Sequence, residues 1–432
     1  MYYSGLSLRC LLQRFGRKTA LLVLSVGLMA SGLGCTYAPT FAVYCVFRFI
    51  EGSTCVPLAG AIFSYANEVA GRNLRSTVGT IIMFTTSISH TILPAMAYVL
   101  RDWRDLNLAS ALLPLAFIIT WPFIPETPKW LLMKGKEEEA RKVLNRYAKS
   151  RGKTLNEDDW QIVLDTEKKK MESISTRSHL TDLFRRPFTR IVSLVVLFDW
   201  FAVNCVFYGL VLNAGSLSGD PYVNGVLNGA TEIIAVIVYG AVNKKYGAKV
   251  CIILGMLCSG SLCLVAMIAG EIDSTSETAL QVVRWVSITG KLFATVSFYS
   301  TYQYTNDVFP VITRGKAMAL ASSFARVGSI IIPFILEVQS DSICVTQAIL
   351  GFLGLSAGLA TLIMPQTSSK VATTTLQEAE KGYRVNMKWM AKFIKYKRTT
   401  NENADERKVQ IEYLDVETNN NNTIFTNHVT KL

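Results

Sequence analysis

Charge is scarce in this chain. Only 18% of its 432 residues are Asp, Glu, Lys or Arg, against about 25% in an ordinary soluble protein. A deficit of that size argues against a soluble globular chain. Histidine is scarcer still: His90, His179 and His428 are the only three and lie far apart, so the sequence offers no metal site. The nine cysteines form no CxxC pair and fall mostly inside apolar runs, where they read as small packing residues. No GxxxxGK[ST] run is present, so no ATP site is expected. No nucleophile–base cluster appears either, which speaks against an enzyme, and no cofactor is implied. Residues 1–18 are polar and basic and lack a small-residue cleavage pattern, so they do not read as a cleavable signal peptide.

What the chain has in quantity is hydrophobic sequence. Half of its residues are hydrophobic, and its mean hydropathy is +0.30. Apolar runs of roughly 20 residues, the length that crosses a bilayer, alternate with short polar loops. Ten spans are expected, at 19–37, 41–65, 76–100, 105–124, 190–212, 222–242, 250–270, 281–304, 315–337 and 343–364. The formal charge of +12 is not the footprint of nucleic-acid binding, because the basic residues collect in alternate loops. Loops 38–40, 213–221, 271–280 and 338–342 carry no Lys or Arg, and only 101–104 on that side does, with Arg101 and Arg104. The basic set of loops is therefore expected in the cytoplasm together with both termini.

The chain also repeats itself. Gln13-Arg14-Phe15-Gly16-Arg17-Lys18 is echoed by Lys244-Lys245-Tyr246-Gly247-Ala248-Lys249, each followed by an apolar run. Asn67-Glu68-Val69 returns as Asn306-Asp307-Val308, Arg75 as Arg314 and Pro94 as Pro333, all at an offset of 239 (67 to 306, 75 to 314, 94 to 333). Two parallel repeats of this kind build major-facilitator-type transporters. Two spans precede the echo loop, but only 12 residues precede Gln13, so repeat logic expects two further helices ahead of this point: four plus six spans where the full design has six plus six.

These features divide the chain into an N-terminal helical half (1–124), a joint (125–189), a six-helix half (190–364) and a polar tail (365–432). In the joint, Glu137–Tyr147 reads as an amphipathic helix with Ala140, Val143, Leu144 and Tyr147 on one face, and residues beyond about 150 read as solvated linker. The tail reads as mostly disordered. Within it, Arg384–Arg398 mixes Lys with Met, Trp and Phe and can lie on an anionic membrane surface. Asn421-Asn422-Thr423 has the glycosylation pattern, but a cytoplasmic tail never meets that machinery. The final Thr430-Lys431-Leu432 fits a PDZ-type partner.

Charges inside spans carry the functional signal, since each costs at least ~2.5 kcal/mol at mid-bilayer unless it meets water, a partner or a substrate. They are Arg48, Glu51, Asp199, Glu232, Arg284, Lys291 and Arg326. Arg48 and Glu51 are spaced i,i+3 and can pair; Arg284 lies near a span end and can snorkel. Glu232 suits an ammonium ligand and Arg326 a carboxylate; the alternative is that the two pair with each other as a gate. Phe207, Tyr208, Phe298, Tyr299, Tyr302 and Tyr304 supply aromatic faces for a cation. Gly354 and Gly358 read as helix packing.

Several motifs resemble the organic cation, carnitine and organic anion transporters of the major facilitator superfamily. Gln13–Lys18 is similar to that family's DRFGRK loop, Pro125–Leu131 to PESPRWL, and Ala97–Arg104 to AYxxRDWR. Gly290-Lys291-Leu292-Phe293 with Tyr304–Pro310 is similar to GKF…YTxELxP. The resemblance covers about residues 11–365. It lacks the PETKG-type ending of sugar porters, for which this chain has Met364-Pro365-Gln366-Thr367. It implies an all-α major facilitator fold and places gating or motif roles on Arg14, Gly16, Arg17, Lys18, Glu68, Arg75, Glu126, Asp307 and Arg314. Gln13 stands where the family has Asp, so one partner of the gating network is lost.

The pairing of Glu232 with Arg326 looks most like the carnitine and zwitterion branch. The resemblance then implies alternating-access transport of organic cations or zwitterions such as carnitine, through a multi-pass protein expected in the plasma membrane. Glu232, Arg326, Phe207, Tyr208, Tyr302 and Lys291 would contact substrate. The alternatives are an organic anion transporter, and a truncated, non-transporting form that acts by assembling with other membrane proteins.

Overall fold

The computed structural model describes residues 15–70, 75–150, 152, 156–157, 160–165, 180–272, 276–337, 343–366 and 376–386. The described residues fold almost wholly into helices. A chain surrounded by lipid must satisfy its own backbone hydrogen bonds, and a helix does so within one segment.

Four long helices come first: α1 (Arg17–Thr36), α2 (Phe41–Val69), α3 (Arg75–Val99) and α4 (Trp103–Thr120). Two short ones follow, α5 (Pro128–Met133) and α6 (Glu137–Ser150). Six more long helices come next: α7 (Pro187–Asn213), α8 (Pro221–Tyr246), α9 (Ala248–Ile272), α10 (Glu277–Val308), α11 (Val311–Glu337) and α12 (Ile343–Leu362). A last helix, α13, spans Leu376–Asn386. All ten expected spans are helical. Nine helices among the described residues are long and apolar enough to cross a membrane, and the tenth, α10, falls short on hydropathy. The reason is its position: Ser287, Lys291, Thr295, Ser297, Ser300, Thr301 and Thr305 are buried against neighbouring helices rather than turned to lipid.

The helix ends follow local chemistry. Asp220 accepts from the backbone N–H of Tyr222 at 2.8 Å and of Val223 at 3.3 Å ahead of Pro221, a capped start with proline in the first turn. Asp102 and Thr40 cap α4 and α2 in the same manner.

The repeat read from the sequence is visible in three dimensions. The Tyr65 hydroxyl donates to the carbonyl of Pro125 at 2.8 Å, and Tyr304, 239 positions later (304 − 65), donates to that of Pro365 at 2.8 Å. Lys18 reaches the carbonyl of Pro122 at 3.5 Å, just past α4. Its echo Lys249 reaches those of Met364 at 2.6 Å and Leu362 at 3.2 Å at the end of α12. Gly16 and Gly247 both take positive φ, 96° and 83°, at the starts of α1 and α9.

Within the six-helix half, Gly260 of α9 meets Gly354 of α12 so closely that a Cβ on Gly354 would come within 2.9 Å of the Gly260 Cα. Small residues there let the two backbones touch, as expected of Gly354.

Two expectations change. Residues after 150 are not uniformly solvated linker: Trp160 and Leu164 are buried with Leu131, Leu132 and Ala140. A Trp and a Leu four apart on a helical turn share one face, and that face completes the apolar side of α6. The polar tail also contains an ordered helix, α13, in which Ala379 and Tyr383 are buried. Two apolar residues four apart are enough to seat it, and its polar remainder hid this in composition. The basic stretch beyond Asn386, the Asn421 pattern and the C-terminal Thr430–Leu432 lie outside the described residues.

Candidate functional site

The candidate site forms where α3 of the first half packs along α8 of the second, with α7, α10 and α11 around it. Gly229 on α8 lies against the α3 backbone, and a Cβ there would come within 2.5 Å of the Thr91 Cα. Gly225 lies against Pro94 in the same way. Arg101 clasps the end of this seam: its guanidinium sits 4.7 Å from the ring centres of both Tyr98 and Tyr222, which belong to opposite halves. Deeper along the seam, the Ser87 and Tyr299 hydroxyls lie 3.2 Å apart.

Glu232 lies at the middle of α8 and is fully buried. Its Oε1 is 3.0 Å from Nζ of Lys291, itself 2% exposed, and its Oε2 is 2.7 Å from Nδ1 of His90 on α3. Lys291 also donates to the carbonyl of Asn228 at 2.5 Å and lies 5.7 Å from the centre of the Phe207 ring. A buried carboxylate in lipid must be compensated, and here one partner comes from each half. The sequence left pairing with Arg326 open as the alternative to ligand contact. Among the described residues Glu232 instead forms an ion pair with Lys291 and a hydrogen bond with His90.

Arg326, near the middle of α11, has no ion-pair partner among the described residues, and its Nε is buried without a hydrogen bond. Its charge acts on Tyr302 of α10 and, from the other half, on Cys55 of α2. Tyr302 tilts over Trp200 at 4.4 Å and lies 5.3 Å from Phe298. Phe298 stacks on Phe207 at 4.6 Å, and Tyr208 meets Phe207 edge-on at 5.2 Å. Phe207 is buried scaffold, whereas Tyr208, Phe298 and Tyr302 are half-buried.

Asp199 is buried, with Oδ2 accepting from the Thr361 hydroxyl at 3.0 Å and Oδ1 without a hydrogen bond among the described residues. Arg48 pairs with Glu51 at 2.8 Å, as its spacing suggested. Arg284 of α10 lies beside Gly219 and Trp285. Among the described residues no group of three or more His, Cys, Asp and Glu side chains is gathered as metal ligands would be.

The motif loops assemble around Glu126. Its carboxylate accepts from the backbone N–H of Arg17 at 3.0 Å and of Lys18 at 3.1 Å, capping α1. A Cβ on Gly16 would meet its Oε2 at 2.2 Å, so only glycine admits the cap. Arg17 pairs with Glu68 at 2.9 Å, and Thr127 donates to the same carboxylate at 2.8 Å. Among the described residues the second half lacks this arrangement. Ala248 stands where Arg17 would be echoed, Asp307 has the field of Arg314 instead, and Arg314 donates to the carbonyl of Phe309 at 3.3 Å. Arg14 and the side chain of Arg75 lie outside the described residues.

Sequence reasoning missed His90. The search among its histidines was for metal clusters, and a single titratable residue inside an apolar run was the signal available. It also missed Glu380 of α13, which accepts from the backbone N–H of Phe188 at 3.0 Å and of Thr189 at 2.7 Å and so caps α7.

The chain matches the family model described as "Sugar (and other) transporter" over residues 2–381. It is 28% identical over 372 residues to the organic cation transporter protein of Drosophila melanogaster, covering 85% of this chain and 67% of that protein. It is 27% identical over 369 residues to solute carrier family 22 member 3 of Mus musculus, covering 85% and 65%. Against organic cation/carnitine transporter 4 of Arabidopsis thaliana it is 30% identical over 372 residues, covering 84% and 68%. The chain thus spans about two thirds of the length of the curated relatives it matches. In fold it is similar to the inward-open xylose transporter of E. coli, with a TM-score of 0.65 at 17% identity over 88% of this chain and 86% of that one.

Proposed function

Because this chain belongs to the "Sugar (and other) transporter" family of the major facilitator superfamily, we propose that it carries small carboxylate-bearing organic solutes, zwitterions and organic anions, across the membrane by alternating access. It is an integral multi-pass protein and not an enzyme. The observation that carries the reading is the contrast between two charges. Glu232 is fully buried and balanced by Lys291, so it has little left to offer an ammonium group. Arg326 has no ion-pair partner among the described residues. A guanidinium in that state is completed by a carboxylate, which it binds through two parallel hydrogen bonds.

The half-buried rings of Tyr208, Phe298 and Tyr302 would receive the other end of the solute, either a quaternary ammonium by cation–π attraction or an apolar group. Glu232 and Lys291 then act as the buried support of the site, and Phe207 as its packing. The basic loops around Gly16 and Gly247 would face the cytoplasm, with the Arg17–Glu68–Glu126 cluster closing that side of the first half.

Uptake into proteoliposomes tests this with three probes: carnitine, an aromatic monocarboxylate and tetraethylammonium. Arg326→Ala should weaken apparent affinity for the two carboxylates by about 10- to 100-fold, the loss of a charged hydrogen-bonded pair, and Arg326→Lys should restore part of it. Preferred uptake of tetraethylammonium, unchanged in Arg326→Ala, would refute the reading.

A further inference from the structure

We propose that His90 and Glu232 together form a proton-binding site shared between the two halves, whose occupancy is linked to closure of the α3–α8 seam. The linkage holds whatever solute the chain carries.

His90 projects from α3 and Glu232 from α8, and they meet at 2.7 Å. Lys291 Nζ lies 3.0 Å from the other oxygen of Glu232, as the partner of a carboxylate would. A carboxylate only accepts, so Nδ1 of His90 carries the hydrogen that it donates, and Nε2 keeps the open lone pair. The His90 side chain is 43% exposed while Glu232 and Lys291 are buried. Of these three side chains only that of His90 is not buried, and a proton that it takes binds at Nε2, with no bond to carbon made or broken. The neutral ring holds the seam by a hydrogen bond to the carboxylate. The imidazolium keeps that bond and adds the attraction of opposite charges across the seam.

The other groups facing this contact come from α8, α10 and α3 itself. Lys291 already serves the far oxygen of Glu232, and the Tyr299 hydroxyl is engaged by Ser87. Neither replaces His90 at Oε2. Separation of α3 from α8 leaves an imidazolium without its carboxylate at mid-membrane, which is costly. Opening the seam therefore releases the proton, and binding the proton closes the seam, as linkage requires of any two coupled equilibria. The close approach at Gly229 and Gly225 makes the contact sensitive to such movement, because a separation of about 1 Å already breaks a hydrogen bond.

Hydrogen–deuterium exchange on the full chain in lipid nanodiscs reads the seam directly. Peptides covering residues 87–94 and 225–232 should exchange several-fold more slowly at pH 5.5 than at pH 7.5, after correction for intrinsic exchange. In His90→Gln that difference should vanish, and in His90→Lys, which carries a permanent charge, protection should be high at both values. Loss of the wild-type difference, or its survival in His90→Gln, overturns the proposal. A variant that does not fold is replaced by the other, since each alone separates the outcomes. Carnitine uptake at matched internal and external pH serves as a second measurement: it should slow in acid for wild type and not for His90→Gln. If no solute is transported but the exchange difference is present, the transport reading fails and the proton site stands.

Discussion

Glu232 and Lys291 show how a buried ion pair constrains its neighbours. Each is almost fully buried and each depends on the other for compensation. Removing Glu232 leaves the Lys291 charge unpaired inside the membrane, and removing Lys291 leaves Glu232 only its contact with His90 among the described residues, at a cost of about 3–5 kcal/mol. We expect Glu232→Gln and Lys291→Met each to lower the melting temperature sharply. The double variant Glu232→Gln/Lys291→Met should recover much of that loss, measured by thermal unfolding in detergent. Equal destabilisation by the double and the summed singles would contradict the pairing. Arg326 behaves oppositely. It lacks an ion-pair partner among the described residues, so Arg326→Ala should alter substrate affinity more than stability. The charged residues within spans were legible in the sequence as a set. Their pairing was not, because spacing along one helix says nothing about which residues of other helices face it at the same depth.

Capping decides how the helices begin, and two of the capping groups come from far away in the sequence. Glu126 caps α1 from 109 positions away, and Glu380 caps α7 from 192 and 191 positions away. Each satisfies backbone N–H groups that the helix itself leaves open. Glu380→Gln keeps one acceptor but loses the charge, and Glu380→Ala loses both. The expected order of stability is wild type, Gln, Ala, with Ala costing about 1–2 kcal/mol, read as a fall in melting temperature and faster proteolysis after α13. Burial with Glu380 beside it pushes the Tyr383 hydroxyl above the usual tyrosine range, so this contact stays neutral through physiological pH. The joint holds by a smaller core, in which Trp160 and Leu164 close over α6. Helix existence was legible from apolar run length. The contribution of α13 was not, since only Ala379 and Tyr383 are buried in it and the rest is polar.

At the scale of the molecule, the two halves meet along α3 and α8. That seam is tight where Gly229 faces Thr91 and Gly225 faces Pro94, and it is clasped by Arg101 between Tyr98 and Tyr222. A side chain at position 229 must force the backbones apart or prevent the closed arrangement. Gly229→Leu should therefore bias the chain toward separated halves, with faster hydrogen exchange over residues 87–94 and uptake reduced at least about tenfold. Overpacking of this kind costs about 1–3 kcal/mol, which is enough to shift a balanced two-state equilibrium by that factor. Unchanged exchange and uptake in Gly229→Leu would mean the seam is not a moving part.

The sequence by itself determined where the long helices lie and the twofold repeat. These follow from run length, from loop charge and from an offset that recurs along the chain, all of them properties local to the chain or periodic in it. The hydroxyl of Tyr65 on Pro125 and of Tyr304 on Pro365 are that repeat made physical. The tertiary structure alone decided that Glu232 answers to Lys291 and His90 rather than to Arg326. It also decided that a glutamate beyond the last long helix caps the start of the second half. Both depend on which faces of distant helices are turned toward one another. Packing of whole helices sets that, and no local pattern encodes it.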